Sequence, residues 1–125
     1  MEIGEVLEAA DVGAWRAWLT GNHSALREIW VVFRKKAEGP VGLTYEALVQ
    51  EALCFGWVDG QMKRIDGLRY AIRFTPRRAG RPWAESNRAR AVRLMDEGRM
   101  TAAGAAVLPP DLAARCRAAS QPVTS

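Results

Sequence analysis

The chain has few of the residues from which metal and redox sites are usually built. Its 125 residues include one histidine and two cysteines. A single histidine excludes zinc sites that need two or more histidines, and Cys54 and Cys116 are too far apart in sequence to form a closely spaced ligand pair. We therefore expect no metal ion and no cofactor. Cysteines that need not pair also suit a reducing compartment, so we expect a cytoplasmic protein.

Long apolar runs and common catalytic motifs are absent as well. No run approaches the ~20 apolar residues of a membrane helix, so we expect no insertion into a membrane. The first fifteen residues are acidic and lack the basic and apolar segments of a signal peptide, which also favours the cytoplasm. There is no GxxxxGK[ST] loop, no GxGxxG fingerprint after a strand and no GxSxG elbow. These absences argue against the common nucleotide-binding and hydrolase classes.

Positive charge is concentrated in one part of the chain. Residues 63–99 contain eleven Lys and Arg residues and four Asp and Glu residues, which gives a local net charge of +7 within a total of +4. A field concentrated in this way attracts anions. The alternative, to which we give equal weight, is an arginine-rich surface that is only solvated. The composition thus indicates a basic face without deciding its use.

Hydrophobic periodicity predicts an α+β fold with a small antiparallel sheet of three or more strands, packed against helices on one side. Strands are predicted at residues 28–36, 57–65 and 69–75. The first is apolar on both sides, so we place it inside the sheet. On the last strand the predicted buried residues are Tyr70, Ile72 and Phe74. The Asp-Gly pair at 66–67 predicts a tight turn, and the pair at 59–60 predicts a bulge.

The remaining elements are predicted to be helical, including the C-terminal part, in a single domain over residues 1–125. The predicted N-caps are Asp11, Thr44 and Thr101, and a further helix is predicted to start at Asp111. The predicted helix ends are Gly21-Asn22, Gly56, Gly98, Val107 and about Ala118. Residues 1–10 are expected to be frayed or loosely helical, and the tail at 119–125 is expected to be disordered.

Strand 69–75 and the loop after it carry the candidate binding residues of a basic face. Arg69 and Arg73 share the polar side of the strand, roughly 13 Å apart at the usual rise per residue. The arginines of the loop are Arg77, Arg78 and Arg81. Guanidinium groups bind carboxylate or phosphate in a bidentate manner, and the neighbouring indole of Trp83 can stack on a base. The pattern predicts binding of an anionic small molecule or of single-stranded nucleic acid.

A second set of residues predicts a pocket at the corner where this strand ends. Its members are Trp57, Asp59, Thr75, Arg77, Trp83 and Asn87. If the two strands pair through the 66–67 turn, Asp59 lies beside Thr75 and the arginines, where it could bind a polar ligand or move a proton as a catalytic residue. The alternative, which we weigh above it, is a salt bridge that only holds the corner together. Asn87 is expected to point inward and to hydrogen-bond to residues 75–78.

Six segments of the chain occur together in a recognisable order. They are AWLTGNH, IWVVFRKK, LTYEALVQEALCFGWVDG, YAIRFTPRR, the W-x-x-x-N motif of Trp83 and Asn87, and LMDEGRMTAAG. Across residues 14–104 the chain resembles the YdeI/OmpD-associated proteins, a bacterial family also named for bacteriocin protection. The resemblance implies a small α+β domain and a role in protection against bacteriocins or antimicrobial peptides. It implies no particular reaction and no catalytic residues.

Together these observations predict a small cytoplasmic binding module, of the stress-protection or peptide-protection type, with a basic face and a corner pocket for an anionic ligand. Two alternatives remain open. One is a small-molecule enzyme that uses the pocket around Asp59, Thr75, Arg77 and Trp83. The other is a single-stranded nucleic-acid binder. The oligomeric state cannot be predicted from the chain.

Overall fold

The computed structural model describes residues 5–34, 44–78 and 81–120, with the backbone alone for 117–120. Within these ranges the chain forms four strands and five helices. The strands are β1 (Val6–Glu8), β2 (Ile29–Arg34), β3 (Trp57–Arg64) and β4 (Arg69–Pro76). The helices are α1 (Val12–Asn22), α2 (Tyr45–Cys54), α3 (Glu85–Asp96), α4 (Ala102–Ala105) and α5 (Pro110–Ser120). The predicted α+β class is confirmed.

The four strands form one mixed sheet in the order β1-β2-β4-β3. β4 pairs antiparallel with both β2 and β3, whereas β1 pairs parallel with β2. The position of β2 between two strands confirms its predicted place inside the sheet. The predicted antiparallel sheet of three strands is present as β2, β4 and β3. The expectation of frayed or loosely helical residues at 1–10 was wrong for residues 6–8, which add a parallel edge strand. Three residues are too few for periodicity to distinguish a strand from a helix.

The hairpin of β3 and β4 lies where the sequence predicts it, with a longer loop. Residues 65–68 connect the strands, and Asp66 Oδ1 accepts hydrogen bonds from the backbone N–H groups of Leu68 and Arg69, both at 2.9 Å. Gly67 does not have a positive φ, so the predicted tight two-residue turn does not form. The pairing register shifts between Asp59 and Met62, which confirms the bulge at the first Asp-Gly pair.

One face of the sheet packs against α1, α2 and α3 and forms the main core. The sheet contributes Ile29, Val31, Ile72 and Phe74 to it. The indole N–H of the fully buried Trp15 in α1 donates to the carbonyl oxygen of Leu48 in α2 at 3.0 Å, so this buried polar atom is satisfied. A smaller cluster around Ala91, Leu108 and Leu112 joins α3 to the C-terminal segment. The alternation of β4 therefore separates a core face from an opposite face.

Most helix boundaries agree with the capping signals. The side chains of Asp11, Thr44 and Thr101 accept backbone hydrogen bonds at the starts of α1, α2 and α4. Gly56 and Gly98 follow α2 and α3 with φ of 78° and 72°. Helix α1 ends at Asn22, as predicted, but the left-handed conformation expected for the Gly21-Asn22 stop was wrong, since neither residue has a positive φ. Helix α4 ends two residues before the predicted end at Val107. Helix α5 runs to Ser120 and includes the first two residues of the tail predicted to be disordered. Residues 121–125 lie outside the described ranges.

Candidate anion-binding site

An open hollow lies on the sheet face opposite the main core, at the end of β4. It has a volume of about 540 Å³ and is lined by Val58, Arg73, Thr75, Pro76, Arg77, Arg78, Arg81 and Pro82. A second hollow of about 340 Å³ shares five of these residues and adds Arg27. We call the two together the arginine hollow. Its arginines are Arg27, Arg73, Arg77, Arg78 and Arg81.

The pleat of β4 explains how these side chains come together. Phe74 points into the main core, so its neighbours Arg73 and Thr75 project from the opposite face. Val58 of β3 lies directly beside Thr75 in the pairing register. Pro76 ends the strand, and the backbone N–H of Arg77 donates to the carbonyl oxygen of Gly56 at 2.8 Å. The last residues of β4 that face away from the core, Arg73 and Thr75, are therefore followed closely along the chain by the arginines of the loop.

The side chain of Arg77 is held in place by contacts with Pro82 and Trp83, which follow it in the chain. Its Cζ atom lies 4.2 Å from the centroid of the Trp83 ring, and its Nη2 donates to the carbonyl oxygen of Pro82 at 2.7 Å. Its Nε–H is buried and has no hydrogen-bond partner within the described part of the chain. Burial lowers the pKa of the Arg77 guanidinium, because the charged form loses hydration. A bound anion would offset this loss by supplying a counter-charge.

The arginines of the hollow have little compensating negative charge. Arg73 pairs with the carboxylate of Glu28. Across residues 5–34, 44–78 and 81–120, no carboxylate forms an ion pair with the other four arginines of the hollow. Elsewhere in segment 63–99, five arginines do pair with carboxylates: Arg69, Arg88, Arg90, Arg93 and Arg99. Among the described residues, ion pairing thus neutralises much of the basic segment and leaves four arginines of the hollow without a carboxylate partner.

The structure brings together five of the ten predicted binding residues, namely Arg73, Thr75, Arg77, Arg78 and Arg81. Asp59 is not among them. It pairs with Phe74 in the sheet register, on the helix side, where its Oδ2 accepts a hydrogen bond from the Tyr45 hydroxyl at 2.5 Å. The predicted position of Asp59 beside Thr75 was wrong, because neighbouring residues of a strand project to opposite faces. Asp59 therefore does not belong to the arginine hollow.

The other four predicted residues have separate environments. Trp57 is buried in the main core, and Trp83 lies against Arg77 without lining the hollow. Arg69 lies at the opposite end of β4, where its Nη2 is 2.9 Å from Asp66 Oδ2 and its Nη1 is 3.5 Å from Glu8 Oε1. Asn87 is buried, as predicted, but its Oδ1 accepts from Arg90 Nη1 at 2.7 Å. The expected hydrogen bond from Asn87 to residues 75–78 was wrong.

Two residues near the hollow were missed by the sequence reasoning. Arg27 and Glu28 precede β2, far in sequence from the basic loop. They reach it because β2 runs antiparallel to β4, with Ile29 opposite Phe74. A correct pairing of these two strands would have placed residues 27 and 28 beside the end of β4. The missing signal was therefore long-range strand pairing.

A second polar cluster, around Asp59, lies on the helix side. Arg90 donates to both carboxylate oxygens of Glu46 at 2.8 Å, and this contact lowers the pKa of Glu46 to about 2. Burial, together with the hydrogen bond to Asp59, raises the pKa of Tyr45 to about 12. Glu46 and Asn87 accept hydrogen bonds from Arg90, and Asp59 accepts one from Tyr45. These contacts fit a role in joining α2, β3 and α3.

The described residues form neither a metal site nor a membrane-spanning helix. Within the described ranges, no group of three or more His, Cys, Asp or Glu residues could hold a metal ion. Cys54 and Cys116 are both free thiols, and burial raises the pKa of Cys54. Among the helices described above, none combines the length and the apolar character needed to cross a membrane.

Comparison with known families gives one match. A family model described as a domain of unknown function, DUF8412, matches residues 7–107. The chain belongs to this family. The matched part of the DUF8412 protein contains β2, β3, β4, all of β1 except Val6, and every residue that lines the arginine hollow, and it ends before α5. Comparison with curated proteins and with solved structures gives no match.

Proposed function

We propose that this DUF8412 protein is a binding module for an anionic ligand and that the arginine hollow is its binding site. The observation that carries the proposal is the convergence of five arginines on one hollow with a single carboxylate partner in the described chain. Like charges gathered without counter-charges repel one another and destabilise the fold. A bound anion removes this repulsion, and the Thr75 hydroxyl offers a further hydrogen-bond donor.

The alternative of an enzyme that acts through Asp59 has less support. Asp59 lies on the opposite face of the sheet from the arginines and already accepts a hydrogen bond from Tyr45. A catalytic carboxylate would need to reach a ligand held by the hollow, and the sheet lies between them. We therefore expect Asp59→Asn to leave anion binding unchanged.

The biological setting is also a proposal. The two free thiols support a cytoplasmic location, and the sequence segments quoted above support kinship with the YdeI/OmpD-associated proteins. Such kinship points to protection against stress or antimicrobial peptides. Many antimicrobial peptides are cationic, and a basic hollow repels cations. The protein would then act through an anionic partner rather than by trapping the peptide itself.

The direct test is calorimetric titration with heparin fragments, a general polyanion probe, at about 50 and about 200 mM salt. The informative variant is Arg78→Ala/Arg81→Ala. Both side chains are exposed and lack an ion pair within the described residues, so their removal should not unfold the protein. At about 1 kcal/mol for each charged contact, affinity should fall about fivefold per arginine, or about 30-fold in all. The salt dependence should also become shallower.

The matched control is Arg93→Ala/Arg115→Ala. It removes the same two charges from exposed helical positions outside the hollow. We expect its affinity to stay within about twofold of the wild type, because neither side chain lines the hollow and salt screens exposed charges. Equal losses in the two double variants would mean that net charge, rather than the hollow, determines binding. Undetectable binding by the wild type at low salt would reject the proposed function itself.

A further inference from the structure

The arginine hollow has no aromatic surface. All ten Phe, Trp and Tyr residues of the chain fall within the described ranges, and none of them lines either part of the hollow. Proteins that bind single-stranded nucleic acid usually stack bases on aromatic side chains, and each stacked base adds roughly tenfold or more in affinity. The hollow instead combines arginines with one threonine, one valine and two prolines. Its lining offers charge without a stacking platform.

The aromatic rings nearest to β4 are engaged elsewhere. Trp57 and Phe74 are fully buried in the main core. Trp30, which pairs with Arg73 in the β2–β4 register and shares its face of the sheet, is also fully buried. Phe33 and Tyr70 stack on each other, with ring centroids 5.7 Å apart, at the end of the β2–β4 pair remote from the hollow. Trp83 packs against both hydrophobic clusters, and the guanidinium of Arg77 covers its ring. A base in the hollow would therefore meet no ring on which to stack.

The shape of the hollow favours an extended ligand. Its two parts adjoin through shared residues, among them Arg73 and Arg77, so the lining continues from Arg27 on one side to Arg81 on the other. One phosphate group can be held by two or three charged donors. Five arginines along a continuous surface match several anionic groups in a row. They exceed the needs of a single small anion.

From these observations we infer that the ligand is a chain-like polyanion without aromatic groups, such as a polyphosphate chain, recognised through its repeated charges. This inference rests on the proposed anion-binding function and gives it a ligand class. The same chemistry occurs in inorganic polyphosphate and in sulfated polysaccharides. Both present closely spaced anionic groups and neither presents a base. Single-stranded nucleic acid carries the same backbone charge but directs part of its binding through its bases.

The test compares four probes by calorimetry at one salt concentration: inorganic polyphosphate, heparin fragments, oligo(dT), and an abasic deoxyribose-phosphate oligomer of the same length as the oligo(dT). We expect oligo(dT) and the abasic oligomer to bind within about twofold of each other, because the bases find no stacking partner. Polyphosphate or heparin should bind at least about tenfold tighter than oligo(dT) at equal total charge. The tighter of these two identifies phosphate or sulfate as the source of the charge.

Two outcomes separate failure of this inference from failure of the proposed function. If oligo(dT) binds at least about tenfold tighter than the abasic oligomer, bases are recognised; the inference is then overturned, while anion binding stands. If none of the four probes binds at low salt, both are overturned.

The Arg27→Ala variant tests the extended shape. Arg27 lines only one of the two parts of the hollow and is exposed. We expect its loss to weaken long-chain polyphosphate about fivefold while leaving pyrophosphate within about twofold. Equal effects on the two ligands, or no effect on the long chain, would contradict a chain-like ligand that spans both parts.

Discussion

Replacing Glu51 with Gln removes a buried charge on which several elements converge. Glu51 lies in α2 and is only 4% exposed. Its Oε2 accepts from Arg16 Nη1 of α1, and its Oε1 accepts from Arg99 Nη2 in the connection after α3, both at 2.7 Å. Arg16 Nη2 also donates to the carbonyl oxygen of Arg99 at 3.2 Å. The hydrogen bond with Glu51 raises the pKa of the Arg16 guanidinium, so the charged pair is favoured.

The expected loss follows from burial and from the exposure of the two arginines. Removing one partner of a buried ion pair costs about 3–5 kcal/mol, because an uncompensated charge is left behind. The side chains of Arg16 and Arg99 are 36% and 31% exposed, so water can partly hydrate the freed guanidinium groups. We therefore expect the lower end of the range, about 3 kcal/mol. With an unfolding entropy of about 2 cal/mol/K per residue over 125 residues, the Tm should fall by about 10 °C.

Urea unfolding followed by tryptophan fluorescence, together with calorimetry at pH 7, measures this loss. Glu97→Gln is the matched control, since Glu97 also contacts two arginines, with Arg93 Nε at 3.2 Å and Arg99 Nη1 at 3.0 Å. Its side chain is 36% exposed, and exposed pairs contribute little, so we expect little change in the free energy of unfolding. A loss below about 1 kcal/mol for Glu51→Gln, or equal losses in the two variants, would refute the role assigned to burial.

Two further predictions concern packing and acid stability. A Cβ at Gly104 would lie 2.4 Å from the Cys54 carbonyl oxygen, so Gly104→Ala should destabilise the fold by at least about 1–3 kcal/mol. Gly21 has open space around it, so Gly21→Ala should stabilise α1 by up to about 1 kcal/mol in the same urea assay. Matching changes in the two variants would contradict the close contact at Gly104. Because Arg90 lowers the pKa of Glu46 to about 2, the stability from this carboxylate is complete above pH 4.5 and is lost as the pH falls towards 2. Because 48% of the Glu46 side chain is exposed, solvent weakens the ion pair, and Glu46→Gln should reduce the acid-dependent loss of stability by about 1 kcal/mol. An acid-unfolding curve that does not change in this variant would contradict the role assigned to the Glu46–Arg90 pair.

Elements with short-range signals could be predicted from the sequence. Asp11, Thr44 and Thr101 each cap a helix through a backbone N–H three residues further along the chain. A cap of this kind depends on a few neighbouring residues, so a local pattern is sufficient. The same reasoning located the β3–β4 hairpin and its bulge. It did not find β1, because that strand depends on parallel pairing with β2 more than twenty positions away.

The candidate binding site was predictable to the extent that strand alternation determines it. Arg73 and Thr75 project from the face predicted for them, and Arg77 and Arg78 follow directly. The position of Asp59 was not predictable in the same way. A shift of one residue in the pairing moves a side chain to the other face of a sheet, and only the observed register places Asp59 opposite Phe74 rather than Thr75. Strand periodicity predicts which side chains of β4 share a face of the sheet, whereas the pairing between strands determines which residues of β3 lie beside them.

Counter-charges from distant parts of the chain decide which arginines remain available. The partner of Arg90 is Glu46, at a sequence separation of 44, and Arg88 pairs with Asp111 at a separation of 23. A local charge count over residues 63–99 treats every arginine alike, because these partners lie outside the segment. The fold then distinguishes them: within the described ranges, carboxylates pair with several arginines of the helices, and one carboxylate pairs with an arginine of the hollow. The case for anion binding therefore depends on where the ion pairs form, rather than on how many arginines the chain contains.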